Sequence, residues 1–215
     1  MDRTAGITQQ LTDLTGIALP HELQQELQTE LVRKSIHMLI ALVPGIAALV
    51  GVQFTLALLA AGTLFYTYCE VLRMQGYSVA LISQLTSVAT RQREIGRFAL
   101  GPITLGLGAM IALLLYPDPA ASIAIYALAF GDGLASLFGK FFGRLTVPAT
   151  GGKTIEGSMA CFVAVFLTVY ALTGRSLEAG IIASAAALLE LFPTSDLDNL
   201  LLPTGTGLVA ALLFM

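Results

Sequence analysis

Charged side chains are scarce in this chain of 215 residues. They make up 12% of the sequence, whereas soluble domains carry about 25%, and the mean hydropathy is +0.81. Apolar runs long enough to cross a bilayer recur along the whole chain. The composition therefore excludes an ordinary soluble domain, and the expected fold is all-α, a polytopic membrane helical bundle.

A basic excess and cysteine motifs are lacking as well, and a leader is not expected. The net charge of -3 and the lack of a basic aromatic surface argue against a nucleic-acid partner. Cys69 and Cys161 have no CxxC spacing and no nearby histidine, which favours packing roles over a disulfide or a metal pair. The first 30 residues are polar and carry five acids, so we expect no cleavable signal peptide.

The apolar runs predict about seven transmembrane helices, preceded by a helix on the membrane surface. Residues 1–34 are predicted as a polar segment that ends in an amphipathic helix, because Leu23, Leu27 and Leu31 recur every four residues. Residues 35–215 are predicted as a single transmembrane catalytic domain, with a surface helix or loop at 75–97. The last two spans are short, so they either cross with little tilt or stop inside the bundle. The predicted spans are 35–52, 53–72, 100–116, 120–139, 154–172, 177–192 and 201–215.

The basic residues predict an orientation. With the N-terminus inside, the seven spans place ten of the eleven lysines and arginines on one side and only Arg175 on the other. Because Lys- and Arg-rich loops stay in the cytoplasm, we expect the N-terminus there and the C-terminus on the opposite side.

Acidic residues at the same cytoplasmic level predict a binding site at this rim. An ionisable group in hydrocarbon costs ~2.5–3.5 kcal/mol, so such residues usually pair or bind something. The acids are Glu30, Glu70, Glu94, Asp132, Glu156, Asp196 and Asp198, joined by Glu190 if the sixth span ends at residue 192.

One stretch, "FGDGLASLFGKFFGRLTVPATGGKTIEGSMACF" from Phe130 to Phe162, holds much of this chemistry. Its "GGKT" does not complete a P-loop, because Val147 stands where the first glycine belongs and the neighbouring segments are membrane helices. The loop still leads Gly152, Lys153 and Thr154 into the first turn of a helix, where free amides favour phosphate. The alternative is that Lys153 anchors the chain at the membrane and Thr154 caps the helix.

The preceding span in this stretch offers an acid and two cations. Asp132 is either a ligand for magnesium or substrate or a buried partner of a neighbouring helix. Lys140 and Arg144 are four residues apart on one helix face, which suits a polyphosphate, although membrane anchors would look the same. Gly139 and Gly143 form a GxxxG pair that predicts helix packing.

Three further blocks bring polar groups to the same level. In "ELVRKSIHM", Glu30, His37 and either Arg33 or Lys34 share a helix face, and a surface ion pair with a hydrogen-bonded core histidine is the alternative. "CEVLR" and "ELFPTSDLDNLLLP" add polar residues at span ends, for which a polar turn is the alternative in the second block. Their common depth suggests binding of a magnesium nucleotide beside a lipid-accessible groove, hence phosphoryl or nucleotidyl transfer to a lipid. The residues added are Glu70, Arg73, Glu190, Asp196, Asp198 and Asn199.

These blocks, with "GPITLG", "FGDGLASLFGKFFGR" and "GGKTIEGSMACF" between them, resemble in their order the CTP-dependent lipid kinases, the family of dolichol kinase, phytol kinase and the CTP-dependent diacylglycerol kinase. The resemblance covers about residues 30–202. It implies phosphoryl transfer from CTP to a lipid hydroxyl with Mg2+. It places nucleotide and metal binding on Asp132, Lys140, Arg144, Lys153, Thr154 and Glu156, and the rest of the pocket on Glu30, Arg33, His37, Glu70, Arg73, Asp198 and Asn199.

The sequence thus predicts an integral-membrane kinase that phosphorylates a polyprenol, a phytol-type isoprenoid or diacylglycerol. Asp132 and Glu156 are assigned to Mg2+, and Lys140, Arg144 and Lys153 to the triphosphate of CTP. Asp198 or Asp132 would orient or deprotonate the lipid hydroxyl. The rival functions are a cytidylyltransferase similar to CDP-diacylglycerol synthase, and a lipid transporter or binding module, although transporters usually carry polar groups near the midplane.

Overall fold

The computed structural model describes residues 21–77, 98–194 and 197–214, and within them the chain is helical apart from its connections. A short 3-10 segment, Leu39–Leu42, joins the first two helices, and Pro44 lies in the first turn of the second. The helices are α1 His21–Met38, α2 Val43–Val50, α3 Val52–Met74, α4 Gly101–Leu115, α5 Ala120–Phe142, α6 Ile155–Thr173, α7 Ser176–Glu190 and α8 Asp198–Phe214.

The described helices confirm the predicted membrane bundle. Four helical stretches are long and apolar enough to cross a bilayer, the first of them running from α1 through the 3-10 segment into α2, and two shorter helices, α4 and α8, are also apolar. Each of the seven predicted spans is helical over most of its length. Most of the predicted span ends lie within a few residues of an observed helix end. The four long candidates are Thr29–Val50, Val52–Met74, Ala120–Phe142 and Ile155–Thr173.

Helix α1 differs in one respect from the predicted surface helix. It runs without a break past residue 34 to Met38, and the side chains of Glu30 and Lys34 are 1% and 2% exposed. Its last turns are therefore packed into the bundle, because charged side chains on a membrane-surface helix would face the headgroups. The division of the chain at residue 34 stays a prediction, and the predictions for residues 1–20 and 78–97 lie outside the described residues.

Helix α5 forms the centre of the bundle. Along the most apolar 18 residues of this helix, 61% of the residues are buried. In the corresponding stretches of the other three candidate spans the share is 17–28%. Alanine, glycine and isoleucine dominate its buried face, and small residues let helix backbones approach closely in a membrane. A Cβ atom added at Gly157 of α6 would lie 2.8 Å from the carbonyl oxygen of Ala135 in α5.

The predicted GxxxG pair has the packing role expected of it. A Cβ atom at Gly139 would lie 3.0 Å from Thr154 Oγ1, and one at Gly143 would lie 2.6 Å from Thr154 Cγ2. The C-terminal end of α5 therefore packs directly on the start of α6. Cys69 and Cys161 are buried free thiols, which agrees with their predicted packing role.

The connections bring the polar helix ends together at one end of the bundle, called the polar rim below. Here α3, α5 and α7 end, while α4, α6 and α8 begin. Hydrogen bonds join these ends in pairs, from Ala99 N to Glu70 Oε1 at 2.7 Å and from Asn199 Nδ2 to Gly101 O at 3.3 Å. A third pair, Lys153 and Glu190, joins α6 to α7.

Candidate active site

Asp132 lies at the end of a π-helical turn, Ala127–Asp132, inside α5. Such turns are rare and are frequent at functional sites. The Asp132 side chain is buried, and Lys34 Nζ of α1 donates a hydrogen bond to its Oδ2 atom. His37 Nε2 lies 3.2 Å from the same oxygen and 2.9 Å from the carbonyl oxygen of Leu128. Since a carbonyl oxygen only accepts, Nε2 donates, and the histidine ties α1 to the π turn.

Lys34, His37 and Asp132 form a triad, and this arrangement agrees with one of the two interpretations of Asp132. The aspartate is paired with a neighbouring helix, as the packing alternative predicts. A buried ion pair is retained at the cost of desolvating both charges, so it is weak evidence for stability. Its position beside a π turn and at the polar rim is a reason to consider it part of a functional site.

Glu30 forms a second contact between α1 and α5. Arg33 Nη2 donates to Glu30 Oε1 at 2.6 Å, and Lys140 Nζ lies 3.5 Å from Glu30 Oε2. The predicted surface pair is wrong in one respect, because Glu30 is buried. Lys140 is 37% exposed at its side chain, so the cation stands at the boundary between the buried cluster and the outside of the rim.

The loop from Gly143 to Thr154 is folded back on itself. Val147 N donates to the carbonyl oxygen of Lys153 at 2.8 Å, and Ile155 N donates to that of Leu145 at 2.9 Å. Gly151 and Gly152 adopt φ angles of 72° and 95°, a left-handed conformation that glycine reaches without strain. The loop therefore presents its backbone at the rim, next to the exposed side chain of Arg144.

The first turn of α6 is capped from within the chain. Thr154 Oγ1 accepts a hydrogen bond from Gly157 N at 3.2 Å, so the predicted N-cap is present. Both carboxylate oxygens of Glu156 lie 3.3 Å from Leu145 N. Glu156 is half-buried, and its negative charge in the first turn complements the positive end of the helix.

Lys153 connects this loop to the end of α7. Its Nζ atom donates to the carbonyl oxygen of Glu190 and lies 3.2 Å from Glu190 Oε1. Ser158 Oγ donates to the other carboxylate oxygen of Glu190 at 3.0 Å. A cation at a helix C-terminus stabilises the last carbonyl groups. The lysine expected to bind phosphate is thus held at the rim, with its side chain 20% exposed.

The remaining predicted pocket residues form hydrogen bonds at helix ends, some within one helix and some between neighbouring helices. Arg73 forms a two-pronged pair with Glu70 at 2.7 and 2.8 Å. Asn199 Nδ2 donates to Thr104 Oγ1 at 2.9 Å. Asp198 accepts from the backbone N–H of Asn199 at 2.9 Å, and it lies within electrostatic reach of Asp132, Lys34 and Lys153. The predictions for Arg91, Arg93, Glu94, Arg97 and Asp196 lie outside the described residues.

The structure does not bring three metal-ligating side chains together within the described ranges. The Mg2+ site predicted on Asp132 and Glu156 therefore stays a prediction. Mg2+ is commonly bound by one or two carboxylates together with substrate phosphates rather than by a cage of protein ligands, so a single carboxylate of this chain would be enough to hold it beside a nucleotide.

From the sequence, Lys34 is only an alternative to Arg33, and it is not assigned to the pocket. The sequence carries a signal for it, since Lys34 is four residues after Glu30 and three before His37, on one helix face. Its partner Asp132 is 98 residues away in the chain, and no local pattern can supply such a pairing. The same holds for Glu190 as the partner of Lys153, 37 residues apart.

The helices and the polar rim define the class, an integral-membrane protein of the helical-bundle type with a buried acid–base cluster at one end. Comparison with known proteins narrows the class. A phytol kinase of Synechocystis is 30% identical over 145 residues, which are 61% of this chain and 62% of that protein. A dolichol kinase of Mus musculus is 30% identical over 162 residues, which are 65% of this chain and 30% of that protein. An uncharacterized protein of Methanocaldococcus jannaschii is 29% identical over 150 residues, 67% of this chain and 73% of the relative.

These relatives confirm the resemblance drawn from the motifs. The chain is similar to proteins named phytol kinase and dolichol kinase, at 26–30% identity. It spans less than two thirds of the length of both kinases compared above. No family model and no solved structure matches the chain.

Proposed function

We propose that this protein is a membrane kinase that transfers the γ-phosphoryl group of CTP to the hydroxyl group of a lipid alcohol. The observation that carries the proposal is that Asp132, Lys34 and Lys153 all interact electrostatically with Asp198, while Lys140 pairs with Glu30 of the helix that carries Lys34, within the motifs that resemble CTP-dependent lipid kinases. The relatives named phytol kinase and dolichol kinase support a lipid acceptor and a nucleotide donor. The preference for CTP rests on the resemblance of the motifs.

The triphosphate would bind around the loop from Gly143 to Thr154. Lys140 and Arg144 are exposed on its near side, and Gly151 and Gly152 turn the backbone beside the start of α6. Successive backbone N–H groups in such turns form anion-binding concavities. Lys153 has three donors, and its contacts with Glu190 use two of them. The third donor can reach a phosphate oxygen without breaking the connection to α7.

A magnesium ion bound with the nucleotide would neutralise charge on the transferred group. Glu156 is the first candidate ligand, because it lies at the loop and the distances from both of its carboxylate oxygens to Leu145 N are long, at 3.3 Å. Asp132 is the second. Lys34 and His37 both approach its Oδ2 atom, so Oδ1 is the oxygen assigned to the ion.

The transfer itself needs a base and an in-line acceptor. The hydroxyl oxygen of the lipid bonds to the γ-phosphorus while the bond to the bridging oxygen breaks, and CDP leaves. The hydroxyl proton goes to a carboxylate. We assign Asp198 this role, because it is half-buried at the start of α8, whereas the charge of Asp132 is already compensated by Lys34. The kinase reaction depends mainly on positioning and charge neutralisation, which the cations of the rim would supply.

The rim is assigned to the cytoplasmic side of the membrane. Ten of the eleven lysines and arginines fall on this side when the chain is threaded through seven spans, and basic loops favour the cytoplasm. CTP and Mg2+ would reach the site from there. The C-terminus would then lie on the opposite side.

Label transfer from CTP tests the proposal and its rival. The full chain is purified, reconstituted in vesicles with mixed lipid alcohols and phosphatidate, and given CTP labelled on either the α- or the γ-phosphate. We expect the γ-label alone in the lipid fraction. The α-label in lipid would instead establish cytidylyl transfer, and no label in any lipid would leave a binding or transport role and refute the kinase. A parallel series with labelled ATP tests the preference for CTP.

Two substitutions link the activity to the rim. Asp132→Asn and Lys153→Ala should each lower the initial rate of transfer, because each removes a charge assigned to the metal or the phosphates. Arg175→Ala is the matched control, since Arg175 lies at the start of α7, at the opposite end from the rim. Unchanged turnover in both rim variants would contradict the assignment of the site.

A further inference from the structure

An apolar groove lies between α3 and α4, beside the start of the 3-10 segment. Its volume is about 230 Å³. The wall from α3 contains two leucines and a glycine, the wall from α4 begins at its N-terminal proline, and Ile40 closes one side. The apolar lining includes Ile40, Leu58, Leu59, Gly62, Pro102 and Leu105.

The groove begins close to the buried charges. Ile40 follows His37 by three residues, and His37 contacts Asp132. Tyr66, which also lines the groove, precedes the buried Glu70 by one helical turn. From Tyr66 to Leu58 is eight residues, which is about 12 Å along a helix. The groove therefore runs from the polar rim toward the middle of the bilayer, with Thr63 and Tyr66 as its polar side chains.

We propose that this groove binds the hydrocarbon chain of the lipid alcohol next to its hydroxyl group. The inference rests on the proposed kinase function, and it gives the acceptor a place in the bundle. The lining is mostly apolar, and two of its residues, Ile40 and Tyr66, lie three and four residues from the buried His37 and Glu70. A lipid in the groove would therefore have its hydroxyl group toward these charges. A lipid chain satisfies both conditions, since one end is polar and the rest is hydrocarbon.

The size of the groove sets what it can distinguish. Pockets that enclose a small-molecule ligand measure ~300–1,000 Å³, so 230 Å³ holds only the part of a chain nearest the hydroxyl. The remainder of the lipid would extend into the bilayer. The total length of the lipid chain should therefore have little effect on binding. The width of the chain close to the hydroxyl should have a large effect. A single-chain alcohol fits this groove better than diacylglycerol, whose two chains diverge next to the hydroxyl.

Gly62 lines the groove and leaves room for a larger side chain. A Cβ atom built there meets no atom within 4 Å, so a larger side chain can enter the groove without displacing the helices. Gly62→Leu should fill the space and retain the fold, because leucine favours a helix interior more than glycine does. Gly180→Leu is the matched control. Gly180 is also a helical glycine with open space at its Cβ position, and it lies in α7, away from the groove.

The kinetic test compares two acceptors in the wild-type chain and in both variants. Phytol represents the long single-chain alcohols. Prenol is a short alcohol whose chain would end before Gly62, because Gly62 lies eight residues, about 12 Å along the helix, from Glu70. We expect Gly62→Leu to lower kcat/KM for phytol by about tenfold or more and to leave the value for prenol unchanged. Gly180→Leu should alter neither. An equal loss for both alcohols in Gly62→Leu, or no loss for phytol, would overturn the proposal.

A second readout does not depend on turnover. A phytol analogue with a diazirine on the chain, close to the hydroxyl, is irradiated with the wild-type protein in vesicles, and the labelled peptides are identified by mass spectrometry. Labelling of α3 and α4, displaced by excess phytol and lost in Gly62→Leu, is the expected result. Labelling confined to other helices overturns the groove assignment. If labelling of the groove persists in a protein that phosphorylates no alcohol, the kinase function fails while the lipid site stands.

Discussion

Removing Lys34 should reveal how much the buried pair with Asp132 contributes to the fold. The two side chains are 2% and 5% exposed, so Lys34→Met leaves an aspartate that only His37 contacts in the triad. Breaking one side of a buried ion pair costs about 3–5 kcal/mol of unfolding free energy. Asp132→Asn should cost a similar amount, because it leaves the ammonium group buried. If the two losses were independent, the variant with both substitutions would lose about 6–10 kcal/mol of unfolding free energy.

The double variant Lys34→Met/Asp132→Asn removes both charges together. Replacing a buried pair by uncharged groups of similar volume is often close to neutral, so the double variant should be more stable than either single variant. Reversible unfolding in mixed detergent micelles, followed by circular dichroism, gives the four free energies of the cycle. Arg175 and Glu178 provide the control cycle, because this exposed pair at 3.5 Å should couple by less than about 1 kcal/mol. The reasoning would be refuted if the double variant lost as much unfolding free energy as the Lys34→Met and Asp132→Asn variants together, to within about 0.5 kcal/mol.

Three further outcomes are expected. Gly157→Ala should destabilise the chain by about 1–3 kcal/mol, because its Cβ atom would lie 2.8 Å from a backbone carbonyl oxygen of α5; Gly180→Ala, with open space, should not, and equal thermal stabilities would contradict this packing. Arg144→Ala should raise the Kd for CTP in equilibrium binding by roughly tenfold to a hundredfold, the equivalent of losing a charged hydrogen bond, while Arg175→Ala leaves it unchanged. Asn199→Leu should lower the unfolding free energy by about 1–3 kcal/mol, since it removes the two hydrogen bonds from Asn199 Nδ2 to Gly101 O and Thr104 Oγ1; an unchanged melting curve would show that these bonds contribute little.

The helices and the membrane class are predictable from the sequence because they depend on local properties. An apolar run long enough to span the bilayer must satisfy its backbone internally, and a helix does so within the segment. Helix ends follow from local signals too, such as Thr154 as an N-cap and Gly174 with a φ of 70° after α6. The common level of the charged residues follows from the alternation of span directions.

The pairings within the site are not predictable in this way. Lys34 joins Asp132 across 98 residues, and Lys153 joins Glu190 across 37, so both depend on how helices pack. The sequence suggested a surface ion pair for Glu30, because its neighbour Arg33 is basic and the segment is polar. Packing of α1 against α5 buries Glu30 instead and gives it Lys140 as a second partner. Local spacing identifies candidates for a charged site, but tertiary contacts choose among them.

The π turn in α5 has a geometric consequence for the whole rim. A π turn is equivalent to one residue inserted into an α-helix, and at 3.6 residues per turn one residue rotates everything after it by about 100°. The residues of α5 before Ala127 and those after Asp132 are therefore out of phase by more than a quarter of a turn. This offset lets the first half present small buried residues to the core while the second half directs Gly139 toward α6 and Lys140 toward α1. Deleting a single residue between Ala127 and Asp132 would restore one continuous helical phase. If the first half of α5 kept its packing, Gly139 and Lys140 would then turn away from α6 and α1.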